Sequence, residues 1–89
     1  MIVQPVVIIN RLGLHARAAA RFVKLASAFE SSVELVNDQT TINGKSIMGV
    51  MMLAAAQGTH LELHVDGPDE LESATALKKL IEDCFGEDE

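Results

Sequence analysis

Residues 2–9, Ile-Val-Gln-Pro-Val-Val-Ile-Ile, are nearly all apolar and mostly β-branched, which predicts a first strand. Pro5 cannot donate to a ladder, so this strand belongs at an edge or Pro5 near its start. Asn10 to Leu14, containing Gly13, reads as a turn. Over residues 16–28 the positions Ala19, Phe22, Val23 and Ala26 recur at helical spacing and predict an alanine-rich amphipathic helix. Residues 32–37 place Val33 and Leu35 on one side and Glu34 on the other. Asn37-Asp38-Gln39 then turns the chain into a short return strand from Thr40 to Asn43. Gly44-Lys45 is a loop, and Ser46 is a good N-cap for a short helix through about Leu53. After a turn at Gln57-Gly58, residues 59–66 alternate, with Leu61, Leu63 and Val65 inward and His60, Glu62, His64 and Asp66 outward. Gly67-Pro68-Asp69 opens a last helix with an apolar stripe of Leu71, Ala74, Leu77, Ile81 and Cys84, and Gly86 to Glu89 reads as a frayed acidic tail.

The order is therefore β-α-β-β-α-β-α. It suits an α+β open-faced sandwich in which three helices cover one face of a four-stranded, largely antiparallel sheet and the other face meets water. Eighty-nine residues make one domain, 1–89. A hydrophobic fraction of 48% supports a packed core, and with only Phe22, Phe29 and Phe85 as aromatics that core must be aliphatic. The same scarcity leaves no aromatic platform for base stacking.

Charge sharpens the picture. A net charge of −6 argues against nucleic acid as a partner. Its distribution is uneven: residues 1–29 hold Arg11, Arg17, Arg21 and Lys24 and no acid, whereas all thirteen acids lie in residues 30–89. The basic cluster reads either as a solvated helix surface or as a docking face for an acidic partner. All four residues flank His15, which favours docking with fast, salt-sensitive association. The single cysteine, Cys84, excludes a disulfide framework and reads as a buried thiol. No apolar run is long enough to span a bilayer and no signal-peptide pattern opens the chain, so a reducing cytoplasm without membrane contact is the expected setting.

The candidate chemistry lies in Leu12-Gly13-Leu14-His15-Ala16-Arg17, where a turn passes into a helix. A helix start presents unpaired N–H groups and positive dipole potential, the conditions for holding an anion. A neutral imidazole nitrogen there has the lone pair that attack on phosphorus needs, and Arg17 can bind phosphoryl oxygens as a planar charged donor. A lone histidine at a helix start is more often a tolerated cap. Gly13 and Arg17 weigh against that reading.

Gly13-Leu14-His15-Ala16-Arg17-Ala18-Ala19 resembles the active-site motif of the HPr family, histidine phosphocarriers of the bacterial phosphoenolpyruvate-dependent phosphotransferase system. Asn43-Gly44-Lys45-Ser46-Ile47-Met48-Gly49-Val50-Met51-Met52-Leu53 is similar to the family's regulatory-serine segment, and Gln57-Gly58-Thr59 and Gly67 fit the same frame. The wording of the motif and the acidic end resemble proteobacterial members, some of the nitrogen-related (NPr) branch. Ala18 stands where most members have proline, which removes some rigidity but keeps the helix.

The resemblance implies that His15 takes a phosphoryl group on Nδ1, held by the N–H groups of Ala16 and Arg17 and by the Arg17 guanidinium. It implies phosphorylated Enzyme I as donor and a histidine of an EIIA-type protein as acceptor, with no metal or cofactor on the carrier and no turnover of its own. In some relatives the serine matching Ser46 is phosphorylated by a dedicated kinase, although capping alone accounts for a serine there.

Ile47, Met48, Met51 and Met52 crowd one short helix. Half must face the sheet, and the expected docking surface joins Ile47, Met48 and Met51 to Arg17, Arg21 and Lys24. The protein is expected to be monomeric. His60 and His64 are roughly 13 Å apart along a strand and cannot share one ion. Gly44-Lys45-Ser46 resembles the end of a P-loop, but Gln39 replaces its first glycine. Two rival readings remain: a binding regulator of the same fold that never passes phosphate on, whose known members lack the histidine, and a small acyl-phosphate hydrolase.

Overall fold

The computed structural model describes residues 1–87. Strands β1 (Ile2–Val7), β2 (Ser32–Asn37), β3 (Thr40–Asn43) and β4 (His60–Asp66) form one antiparallel sheet in the order β1-β4-β2-β3. Helices α1 (Ala16–Ser27), α2 (Ile47–Leu53) and α3 (Glu70–Glu82) pack over it, and a short 3₁₀ turn, Cys84–Gly86, follows α3. This is the open-faced α+β arrangement that the pattern predicts.

The register explains the two faces. Ile2, Val65 and Val33 lie side by side across three strands, as do Gln4, Leu63 and Leu35, with Ile42 opposite Leu35 on β3. One row therefore turns toward the helices, where Leu61, Leu63, Val65, Val33 and Leu35 are buried with Phe22, Ala18, Ala19, Ala26, Leu77 and Ile81. The alternate row, including Val3, Glu34, Glu62 and Thr41, is exposed because successive side chains on a strand point to opposite faces. Pro5 is tolerated because β1 is an edge strand.

Several expectations are corrected. The first strand ends at Val7 rather than residue 9, and Ile8 continues the pairing with the loop before β4 through Ile8 N–H to Thr59 O at 3.0 Å. Ala18 joins the buried face of α1, while Val23 is only half-buried. Leu71 is not in the stripe of α3: it is 68% exposed, and the buried positions are Ser73, Ala74, Leu77 and Ile81. Cys84 lies beyond α3 with φ +56 and is half-buried rather than buried, while its neighbour Phe85 is fully buried and takes the core position.

A polar staple joins the start of β2 to the start of α3. The Asp69 carboxylate accepts from Ser31 Oγ–H at 2.5 Å, Ser31 N–H at 2.9 Å and Glu30 N–H at 2.9 Å. The Ser31 hydroxyl, followed by the Glu30 amide, holds the carboxyl below its ordinary value of 3.8. A lowered folded value means that the staple contributes fully above the ordinary carboxylate range and is lost as pH falls through the lowered value. Asp69→Asn is therefore expected to unfold at lower urea than the wild type at neutral pH, with the difference closing below about pH 4. Urea midpoints across pH check this, and a difference that does not change with pH would refute it.

Candidate functional site

The turn before α1 is built to present His15. Asn10 is buried and donates from Nδ2 to Gly13 O at 2.8 Å, while Gly13 N–H returns a bond to Asn10 O at 3.1 Å. Leu14 N–H then bonds Ala55 O at 2.8 Å, which ties the turn to the segment after α2. Gly13 has φ +64, and a Cβ there would lie 2.4 Å from Ala55 O, so both the backbone shape and the close approach require glycine. The glycine and histidine of the motif are thus parts of one device.

His15 is the N-cap residue of α1, with extended backbone (φ −73°, ψ 177°). Its carbonyl accepts the first helical bond, from Ala19 N–H at 2.8 Å, but its side chain makes no capping bond. The N–H groups of Ala16, Arg17 and Ala18 precede that first bond and have no partner within the helix. The first turn of α1 contains no acid, and Arg17 adds positive charge where the helix dipole is already positive, with Arg21 one turn on. A helix designed for stability alone would carry the opposite charge there. The Ala18 side chain is fully buried beneath this turn and continues the helix.

An anion from the other end of the chain answers this potential. Beyond α3, Cys84, Phe85 and Gly86 all have positive φ, from 56° to 80°, and reverse the chain direction. Phe85 is anchored in the core and its carbonyl accepts from Arg21 Nη1 at 2.5 Å. Glu87 is thereby brought to His15, with Oε1 at 2.6 Å from Nε2. The bond to His15 is the first cause, and the charges of Arg21 and Arg17 further ones, that lower the Glu87 carboxyl from its ordinary value of 4.5. An ionised carboxylate only accepts, so Nε2 carries the proton of this bond. The expected frayed tail is corrected at this residue; Asp88 and Glu89 lie outside the described residues.

The other side of His15 is apolar. A depression of about 330 Å³ is lined by Leu12, Leu14, His15, Ala16, Met51 and the Ala54–Ala56 segment. Ile47 and Met48 lie on α2 one turn before Met51. The sequence expectation that half of the α2 apolar residues are core is overturned: Ile47, Met48, Met51 and Met52 are all exposed, Met52 by 78%, and only Val50 is buried. Arg11, Arg17, Arg21 and Lys24 are all exposed. Ser46 caps α2, its Oγ accepting from Gly49 N–H at 3.2 Å.

Sequence reasoning missed three contributors: Asn10, Leu12 and Glu87. Leu12, in the turn itself, was legible from its place beside the histidine. Asn10 and Glu87 act through contacts that no local pattern carries. His60 and His64 stand apart from the site, on β4, and His64 Nε2 lies 3.0 Å from Glu62 Oε1.

Known proteins match the chain in sequence and fold. The family described as "PTS HPr component phosphorylation site" matches residues 2–83. Phosphocarrier protein HPr of Neisseria meningitidis serogroup A is 54% identical over the whole of both chains. The crystal structure of HPr-C-His from Thermoanaerobacter tengcongensis superposes with a TM-score of 0.95 at 45% identity, again covering both chains in full. The solution structure of Crh, the Bacillus subtilis catabolite repression HPr, covers 90% of this chain and 95% of its own at 41% identity, with a TM-score of 0.67. With sequence and fold matching along the whole length, the chain belongs to the HPr family, the phosphoryl carriers of the phosphotransferase system.

Proposed function

We propose that His15 is the phosphoryl acceptor of this carrier, with Nδ1 as the attacking nitrogen. The observation that carries the reading is the start of α1: a histidine N-cap without a capping bond, free N–H groups behind it, Arg17 beside it and no acid in the first turn. The Nδ1 lone pair attacks phosphorus, the bond to the donor nitrogen breaks, and its electron pair returns to the donor. The Ala16 and Arg17 N–H groups and the Arg17 guanidinium then hold the phosphoryl oxygens as charge-assisted donors. An open site of this kind lets a second protein reach the phosphoryl group, as a relay requires.

The donor in this reading is phosphorylated Enzyme I and the acceptor a histidine of an EIIA-type protein, in sugar uptake or nitrogen-related regulation. The protein works as a cytoplasmic monomer, residues 1–89 forming one phosphocarrier domain that needs no metal or cofactor. Both partners approach over one surface: the basic rim of Arg17, Arg21 and Lys24 with the methionine-rich face of α2. Exposed apolar residues beside a charged rim suit partners that recognise shape and charge together. Met48→Asp is accordingly expected to raise the KM for phospho-Enzyme I about tenfold, with little change in kcat, because it removes apolar contact and repels an acidic partner. Transfer kinetics identical to the wild type would remove Met48 from the docking surface. Ser46 serves as a cap in this reading, and a phosphate there would add negative charge to the same surface.

The test is intact mass after incubation with Enzyme I, Mg²⁺ and phosphoenolpyruvate. A single acid-labile phosphoryl group is the expected result. An unmodified mass with a competent Enzyme I would favour a binding regulator instead, and free phosphate without a covalent intermediate would favour hydrolysis.

A further inference from the structure

We infer that Glu87 is a positioning residue for phosphoryl transfer: its carboxylate holds the proton on His15 Nε2, turns the Nδ1 lone pair outward for attack and offsets the positive charge of the phosphorylated ring. This rests on His15 being the acceptor. The geometry is the 2.6 Å contact between Nε2 and Oε1. It is not a chance meeting of two surface side chains. Phe85 is fully buried two residues before Glu87, the Arg21 guanidinium holds the Phe85 carbonyl, and the run of positive φ from Cys84 to Gly86 aims the chain back at α1.

The charge argument follows from the electrons. A neutral imidazole with its proton on Nε2 has its lone pair on Nδ1. When that pair forms the bond to phosphorus, the ring keeps the Nε2 proton and becomes cationic. When the phosphoryl group leaves, the P–N bond breaks, its electron pair returns to Nδ1, and a neutral imidazole departs. The new bond forms to water or to the acceptor's nitrogen. Both directions pass through a ring protonated at Nε2, and a carboxylate on that proton favours it. Without the proton the leaving group would be an imidazolate, a far poorer one.

Arg17 and Arg21 on α1 help to lower the Glu87 carboxyl, so it faces the ring as a carboxylate. Arg11 lies exposed in the preceding turn, and among the described residues the depression on the other side is lined by Leu12, Leu14, Met51 and Ala54–Ala56, none of them charged. Nature of the contact and charge can therefore be separated by substitution: glutamine keeps the size and an accepting oxygen, aspartate keeps the charge.

The experiment prepares the phosphoprotein with Enzyme I and phosphoenolpyruvate, removes both, and follows loss of the phosphoryl group by intact mass from pH 5 to pH 9. Wild type, Glu87→Gln, Glu87→Ala and Glu87→Asp are compared. Glu87→Gln and Glu87→Ala are expected to lose the group about threefold to tenfold more slowly near neutrality, with the pH midpoint of loss moved down by up to about one unit, and Glu87→Asp to recover part of the wild-type profile. A purely structural tail predicts that Glu87→Gln overlays the wild type, and that result would overturn the inference while leaving His15 as the acceptor. A wild type that takes up no phosphoryl group at all would overturn both.

Discussion

His15→Ala is expected to accept no acid-labile phosphoryl group from Enzyme I and phosphoenolpyruvate, a complete loss rather than a fractional one. Among the described residues, those lining the adjoining depression are apolar and those beside Glu87 are arginines, and none of these offers a neutral nitrogen lone pair in place of the ring. The substitution should leave the fold in place. His15 makes no side-chain capping bond, and its backbone carbonyl bond to Ala19 is kept. Thermal unfolding close to that of the wild type, with no mass addition, is thus the expected pair of results. His60→Ala and His64→Ala serve as controls, since both histidines stand on β4 away from the site, and each should accept one phosphoryl group. Acid-labile phosphorylation surviving in His15→Ala would mean that another histidine carries the group.

Phe22→Ala is expected to produce the largest loss of stability, about 3–5 kcal/mol. Phe22 is fully buried, and its ring lies against Gly44, where even an added Cβ would come within 3.2 Å of Cε1. The ring fills space between α1 and the β3–α2 connection. For a domain of this size such a loss is a large part of the total stability and corresponds to a fall in Tm of roughly 15–30 °C. Val23→Ala, one position along the same helix but half-buried, should cost about 1 kcal/mol. Urea unfolding at 25 °C separates the two, and a loss under 2 kcal/mol for Phe22→Ala would show that the core relaxes around the cavity.

The same comparison of Phe22 with Val23 shows how far a local pattern reaches. Helical spacing placed both on one face; the structure buries the first fully, leaves Val23 half-buried against the core, and adds Ala18 to the buried face. The small side chain of Ala18 gave no periodic signal strong enough to compete with valine. For α2 the error ran the other way: a helix apolar nearly all round reads as core, yet only Val50 is buried. Seven residues make about two turns, and such a short helix can cover the core with Val50 and part of Leu53 while showing its other large side chains to water.

The sequence by itself determined the element order, the two faces of the sheet and the place of His15. Those follow from period-2 and period-3.6 hydrophobicity, from turn residues and from helix-start chemistry, all of which act within a few positions along the chain. Only the tertiary structure decided that Glu87 returns to the histidine. Glu87 and His15 are 72 positions apart, and their meeting depends on Phe85 finding the core, on Arg21 reaching a carbonyl and on three successive residues accepting positive φ. Two of those three are not glycine. Their backbone conformation is unfavourable taken alone and is held by the burial of one ring, so no rule that reads local preference could have placed the carboxylate on the site.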